Sequence, residues 1–240
     1  MLVEFVGGSG VGKSTLIARV LSRLVEDRQS VELSGDALCQ SSLVRFIRHE
    51  GLRNAWYCIT VFPTYLALLR HSPELRETLK IPVKCVGWER VDRIRSNVRL
   101  VGCHRRLVDT AKNTTVLVDE GILASVNNPF VSSDWAPDYS SLEQFADSVP
   151  LPDRIIHVVA APDIVRSRTA KRMDKPRCLR GRGERDQRLF LERGLDTFER
   201  LTRHARIAGR TLRIDTSDES GVATEANVGR ILKHLGMRTR

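Results

Sequence analysis

The sequence predicts an α/β fold in which a parallel sheet carries helices on both faces. Three observations predict it. Short apolar runs recur along the chain, and most end in a glycine or an acidic residue. Between them lie segments whose apolar residues return at helical spacing, and strands that alternate with helices pair in parallel. The first apolar run is followed at once by Gly7-Gly8-Ser9-Gly10-Val11-Gly12-Lys13-Ser14, which matches G-x-x-x-x-G-K-[ST].

The elements follow in order. Leu2 to Val6 is short, apolar and β-branched, as a buried strand should be. After the glycine motif, Leu16, Ile17, Val20, Leu21 and Leu24 recur at helical spacing. Val31 to Ser34 reads as a second strand, ending in Gly35-Asp36. Helical patterns are expected over residues 37–50 and 54–71, and a long basic one over 88–112. Thr115 to Val118 is a strand ending in Asp119-Glu120-Gly121, and a polar, proline-containing segment runs from Asn127 to Tyr139. Arg154 to Ala160 is a further strand, and Pro162 opens an arginine-rich helix, a position where proline costs nothing. A helix is expected over 185–207, a last strand over Thr211 to Ile214, and a closing helix over 223–235. Ligands of such sheets sit at the carboxyl ends of the strands. The acidic and glycine-rich features gather there.

The glycine motif has a direct physical reading. A phosphate chain must be wrapped by backbone N–H groups, and side chains would block the approach. Gly7, Gly8, Gly10 and Gly12 are therefore small, with Ser9 and Val11 between them. The helix beginning near Lys13 aims its first N–H groups and its dipole at the anion. Lys13 supplies a point charge to the outer phosphates, Ser14 a hydroxyl for Mg²⁺, and Thr15 continues the first turn. The expected ligand is a nucleoside triphosphate, ATP, with Mg²⁺.

Composition narrows the rest. The 240 residues are 41% hydrophobic and 28% charged, ordinary for a globular chain that buries a real core. Only 5% are aromatic, too few for a stacking platform on single-stranded nucleic acid. A net charge of +10 suits a polyanionic ligand. Cys39, Cys58, Cys85, Cys103 and Cys178 are scattered without a C-x-x-C pair, which argues against disulfides and a cysteine zinc site. Met1 leads directly into an apolar run that the sheet needs. No leader and no membrane span are expected, and the location expected is cytoplasmic.

The whole chain resembles the P-loop kinases of the nucleoside and nucleoside-monophosphate kinase type, with thymidylate kinase as one relative. The resemblance rests on Gly7 to Ser14, on Ser34-Gly35-Asp36, on Val118-Asp119-Glu120, on Ala161-Pro162-Asp163 with Arg166, Arg168 and Arg172, and on Ile214-Asp215-Thr216-Ser217. It implies a P-loop NTPase three-layer sandwich: a five-stranded parallel sheet with helices on both faces and an arginine-rich lid. One domain would span 1–240, with 37–112 as a helical acceptor-binding insertion and 162–186 as the lid. The thymidylate kinase type usually has Asp-Arg where this chain has Asp119-Glu120.

Phosphoryl transfer asks for positioning and charge neutralisation. Asp119, ending an apolar strand, is the expected acidic partner of Mg²⁺ with Ser14. Asp36 is the expected group facing the acceptor hydroxyl, with Glu120 as the other candidate. Arg168 and Arg172 are the lid arginines expected on the phosphates, and the loop from Asp215 is expected to pass the adenine. Arg95, Arg99 and Arg106 share a helix face by spacing. His104 and His157 read as core residues rather than metal ligands. The function expected is an ATP-dependent kinase for a nucleotide, nucleoside or other small-molecule acceptor; the resemblance leaves the oligomeric state open and allows a homodimer, since such relatives are often dimers. The alternative is a P-loop ATPase acting on or with nucleic acid, for which Asp119-Glu120 and the charge of +10 speak.

Overall fold

A computed structural model describes residues 1–34, 78, 80–81, 103–172 and 179–237. Five strands form one sheet: β1 (Leu2–Val6), β2 (Val31–Leu33), β3 (Thr115–Val118), β4 (Arg154–Val159) and β5 (Thr211–Asp215). Their spatial order is β2-β3-β1-β4-β5, and every pairing is parallel. The three inner strands are buried almost throughout, and the edge strands only partly. That is why the inner strands read as continuous apolar runs: a parallel strand is covered on both faces.

Five helices carry the rest of the argument: α1 (Lys13–Glu26), α2 (Tyr139–Ser148), α3 (Pro162–Lys171), α4 (Glu184–Arg203) and α5 (Gly221–His234). Alternation along β1 assigns its side chains to two layers. Val3 and Phe5 join Leu16, Ile17, Val20 and Leu24 of α1 and Val228, Ile231 and Leu232 of α5 in one core cluster. Val6 joins Ile122, Phe130, Leu142, Phe145, Phe198 and Leu201 in a second cluster on the opposite face. Leu2 completes that face with Leu107, Val116 and Val118. The sheet is thus the middle layer of three, as the sequence predicts, and α1 faces the glycine loop with its N-terminus.

Several elements differ from expectation. The helix expected over 185–207 breaks at His204, whose φ of −57° and ψ of 137° leave the helical region; Ala205–Ala208 is a separate turn. The segment after β3 is more ordered than its polar composition suggests. A 3₁₀ turn (Leu123–Val126) and a helical turn (Asn127–Phe130) precede a short loop, and α2 then starts under an N-cap, where the Asp138 side chain accepts from Ser141 N. Residues 103–110 are helical, as the end of the 88–112 pattern requires. The helices expected over 37–50 and 54–71, and Asp36, Arg95 and Arg99, lie outside the described residues, as does the middle of the expected lid. Among the described residues no helix is long and apolar enough to cross a membrane.

Candidate active site

The loop from Gly7 to Gly12 turns the chain from β1 into α1. Gly7, Gly10 and Gly12 have φ of 146°, 84° and 91°, values open to glycine at little cost. Gly12 caps α1 in the left-handed region with no side-chain cap, and no acidic residue stands in the first turn. The first N–H groups of α1 and its dipole therefore meet no carboxylate from their own helix.

Gly10 is required twice over. A Cβ there would lie 2.6 Å from Thr169 Oγ1 and 3.0 Å from the carbonyl oxygen of Val165, because α3 sits directly on the loop. Gly10→Ala combines a left-handed backbone with that overlap and is expected to cost about 2–4 kcal/mol of stability. Calorimetry should show a fall in Tm of several degrees. An unchanged Tm would mean that α3 does not bear on the loop.

Lys13 is partly buried, and its Nζ donates to Gly7 O at 2.9 Å and Gly8 O at 3.1 Å. Burial lowers its pKa, Asp119 and Glu120 pull the other way, and Arg172 adds to the lowering. Ser14 Oγ donates to Asp119 Oδ2 at 2.9 Å. A hydroxyl from the start of α1 and a carboxylate from the end of β3 thus meet at the cleft, although they stand 105 residues apart. Both are hard oxygen donors, the kind that suits a hydrated Mg²⁺, which keeps most of its waters and takes one or two protein oxygens. Among the described residues no group of three or more His, Cys, Asp or Glu could hold a metal by itself.

These residues border a cleft of about 1060 Å³. Of the residues expected to hold nucleotide, Ser9, Gly10, Gly12, Lys13, Ser14, Thr15 and Arg168 border it, together with Asp119, Glu120 and Arg172. Gly7, Gly8, Val11 and Asp215 do not; they shape the backbone behind it. Asp215 Oδ1 accepts from Ser217 N at 2.8 Å and from Ser217 Oγ at 2.6 Å, and those bonds hold its pKa below the usual carboxylate value. The wall here is instead Thr216, Asp218, Glu219, Thr224 and Asn227. Asn127, Val131 and Phe190 also border the cleft, none of them marked by a sequence motif.

Arg168 is engaged within the protein. Its Nε donates to Glu219 Oε1 at 2.9 Å, and its Nη2 donates to Thr216 O at 2.6 Å. Thr216 Oγ1 in turn lies 2.6 Å from the carbonyl oxygen of Val11. One guanidinium and one hydroxyl therefore join α3, the loop after β5 and the glycine loop. Arg182, at the far end of the expected lid, pairs with Asp134 at 2.9 Å.

Glu4 is the residue that sequence reading passes over. It lies in the central strand at 1% exposure. Ala124 N donates to its Oε1 at 3.0 Å. Burial pushes its pKa up to about 8 against the pull of the backbone N–H groups of residues 121–124. His104 and His157 are buried too, and burial lowers each to about 4, as core histidines.

The signs of these shifts separate by pH. The histidines bind fewer protons in the native state between about pH 4 and their unfolded 6.5, so stability rises with pH there. Glu4 binds more in the native state between 4.5 and about 8, so its contribution falls as pH rises through that window. Above pH 7 the Glu4 slope stands apart from the histidines. Urea unfolding should lose about 1 kcal/mol between pH 7 and pH 8, and Glu4→Gln should remove that loss.

No family model and no curated protein matches this chain. Among solved structures, deoxyadenosine kinase from M. mycoides, with the products dCMP and a flexible dCDP bound, has a TM-score of 0.52 to this chain at 12% identity, covering 98% of this chain and 99% of that one. Shikimate kinase from Bacteroides thetaiotaomicron has a TM-score of 0.47 at 13% identity, covering 99% of each chain. At such identity the first likeness shows the fold, a P-loop α/β sandwich, and function must be argued from the site.

Proposed function

We propose that this chain is an ATP-dependent phosphotransferase acting on a nucleotide, nucleoside or other small-molecule acceptor. One observation carries the reading: Ser14 and Asp119 hydrogen-bond at 2.9 Å beside Lys13, beneath a glycine loop that opens a helix. The glycine loop and the N-terminus of α1 bind and orient the phosphate chain. Lys13 sets its charge against the outer phosphates. Ser14 and Asp119 are the residues that would hold Mg²⁺, which supplies charge neutralisation across the outer phosphates. Thr216, in the loop that passes the adenine, borders the cleft, and Arg168 and Arg172 are the lid arginines set against the phosphates.

In the transfer, the acceptor oxygen forms a bond to the terminal phosphorus as the bond to the bridging oxygen breaks, leaving ADP. The acceptor proton passes to a carboxylate, for which Asp36 is the choice made on residue pattern. Residues 37–112 form the acceptor-binding insertion and 162–186 the lid of one domain. We place the protein in the cytoplasm. A kinase for a small acceptor also agrees with what the structurally similar deoxyadenosine kinase is named for.

One observation favours a second reading. Glu120 borders the cleft next to Asp119, where a P-loop ATPase keeps the carboxylate that activates water. ADP release decides between the two. Turnover should stay low with Mg²⁺ and ATP alone and rise on adding one member of a panel of nucleosides, nucleoside monophosphates and sugars. Turnover without an acceptor, raised by oligonucleotide, would establish the ATPase instead.

A further inference from the structure

We propose that Glu4 is the positioning residue of the metal end of this site, holding Asp119 and Glu120 in place from both sides of that dipeptide. The inference rests on the reading that Ser14 and Asp119 receive the metal of a bound nucleotide. On one side, the main chain of Glu4 lies in register with Val118, the residue before Asp119, in the parallel β1–β3 pairing. On the other side, the carboxyl group of Glu4 accepts from Ala124 N at 3.0 Å and lies directly against Gly121, the residue that follows Glu120. Only Asp119 and Glu120 lie between the two attachments.

The chemistry of the clasp is specific. The N–H groups at the start of the 3₁₀ turn Leu123–Val126 have no partners within that turn and need an acceptor from outside it. Here the acceptor is a side chain of the central strand, fully enclosed. A core position between Leu2 and Val6 would take an apolar residue at lower desolvation cost. Gly121 completes the fit: a Cβ there would lie 2.5 Å from Glu4 Oε2. The same turn leads into Asn127 and Val131, which border the cleft. The backbone that presents Asp119 to Ser14 is thus tied to β1, the strand that also launches the glycine loop.

Two measurements on the full chain test this. Amide hydrogen exchange in metal-free buffer reads the clasp itself: Glu4→Gln, which replaces one carboxyl oxygen by an N–H₂, should speed exchange at Ala124 at least tenfold. Titration with ATP, with and without Mg²⁺, reads the positioning role. The wild type should gain affinity with Mg²⁺; Glu4→Gln should lose at least tenfold of that gain while Mg²⁺-free affinity stays within twofold. Gly121→Ala should reproduce the loss, and the double variant should add little to it, since both act on one contact. Faster exchange with the Mg²⁺ gain intact, or equal losses with and without Mg²⁺, would make Glu4 a structural residue only and overturn the proposal. If Glu4→Gln does not fold, Gly121→Ala alone decides by the same two readouts. A wild type that binds ATP and gains nothing from Mg²⁺ overturns the proposal while leaving the nucleotide reading standing. A wild type that binds no ATP overturns both.

Discussion

Lys13→Ala is expected to lower phosphoryl transfer by about 10²–10³-fold while leaving the fold in place, a loss of the size seen when one fixed transition-state donor is removed. The ammonium sits where it can do this. It is held by Gly7 O and Gly8 O at 2.9 and 3.1 Å, so its position is set by the loop that wraps the phosphates. Two carboxylates of the cleft, Asp119 and Glu120, stabilise its charge against burial. The variant removes the fixed cation that offsets those two carboxylates beside an anionic substrate, so both ATP binding and turnover should suffer. Lys13→Arg is expected to be a poor rescue, because a planar fork cannot share two loop carbonyls and reach onward as a point charge does. Removing a cation that is costly to bury should leave Tm within a few degrees of the wild type. Steady-state ADP release and calorimetry check the two halves. Retained turnover, or collapse of the fold, would count against the assignment.

Asp119→Asn is the second large effect. The amide keeps an oxygen that can accept from Ser14 Oγ, now 2.9 Å from the carboxylate, so the fold should lose little. What disappears is the negative charge at the end of β3. The Mg²⁺ concentration giving half-maximal turnover should rise at least tenfold, and the maximal rate should fall by about 10²-fold. A titration of turnover against Mg²⁺ reads both. If the half-saturating concentration does not move, Asp119 only caps the turn that follows it.

The parts of this site that were legible in the sequence are those whose geometry is local. Gly7 to Ser14 is contiguous, and its residue types follow from wrapping a phosphate in backbone. Asp119 is visible because an apolar run stops at it. The sheet is legible for the same reason, since burial on both faces makes β1, β3 and β4 continuous in apolar residues. The rest depends on partners that only folding supplies. Glu4 is bound by the backbone N–H of Ala124, 120 residues away, which leaves no side-chain motif to recognise. Arg168 stands in a run of basic residues that reads as a phosphate lid, yet Glu219 and Thr216, about 50 residues on, take up its guanidinium. The kink at His204 has no glycine or proline to announce it. The α2 helix is hidden by the polar segment before it, though Asp138 and the spacing of Leu142, Phe145 and Ala146 carry its start and its buried face. Asp36 and most of 37–112, the expected acceptor-binding insertion, lie outside the described residues.

The fate of the terminal phosphorus of ATP tests the central claim most directly. Phosphorus NMR of a reaction with Mg²⁺, ATP and each candidate acceptor in turn distinguishes a new phosphoester or phosphoanhydride from inorganic phosphate. A kinase should place the phosphorus on one acceptor class, in amounts equal to the ADP formed, with both signals absent in Lys13→Ala. Inorganic phosphate as the sole product, formed at the same rate whatever acceptor is present, would contradict the kinase and leave an ATPase.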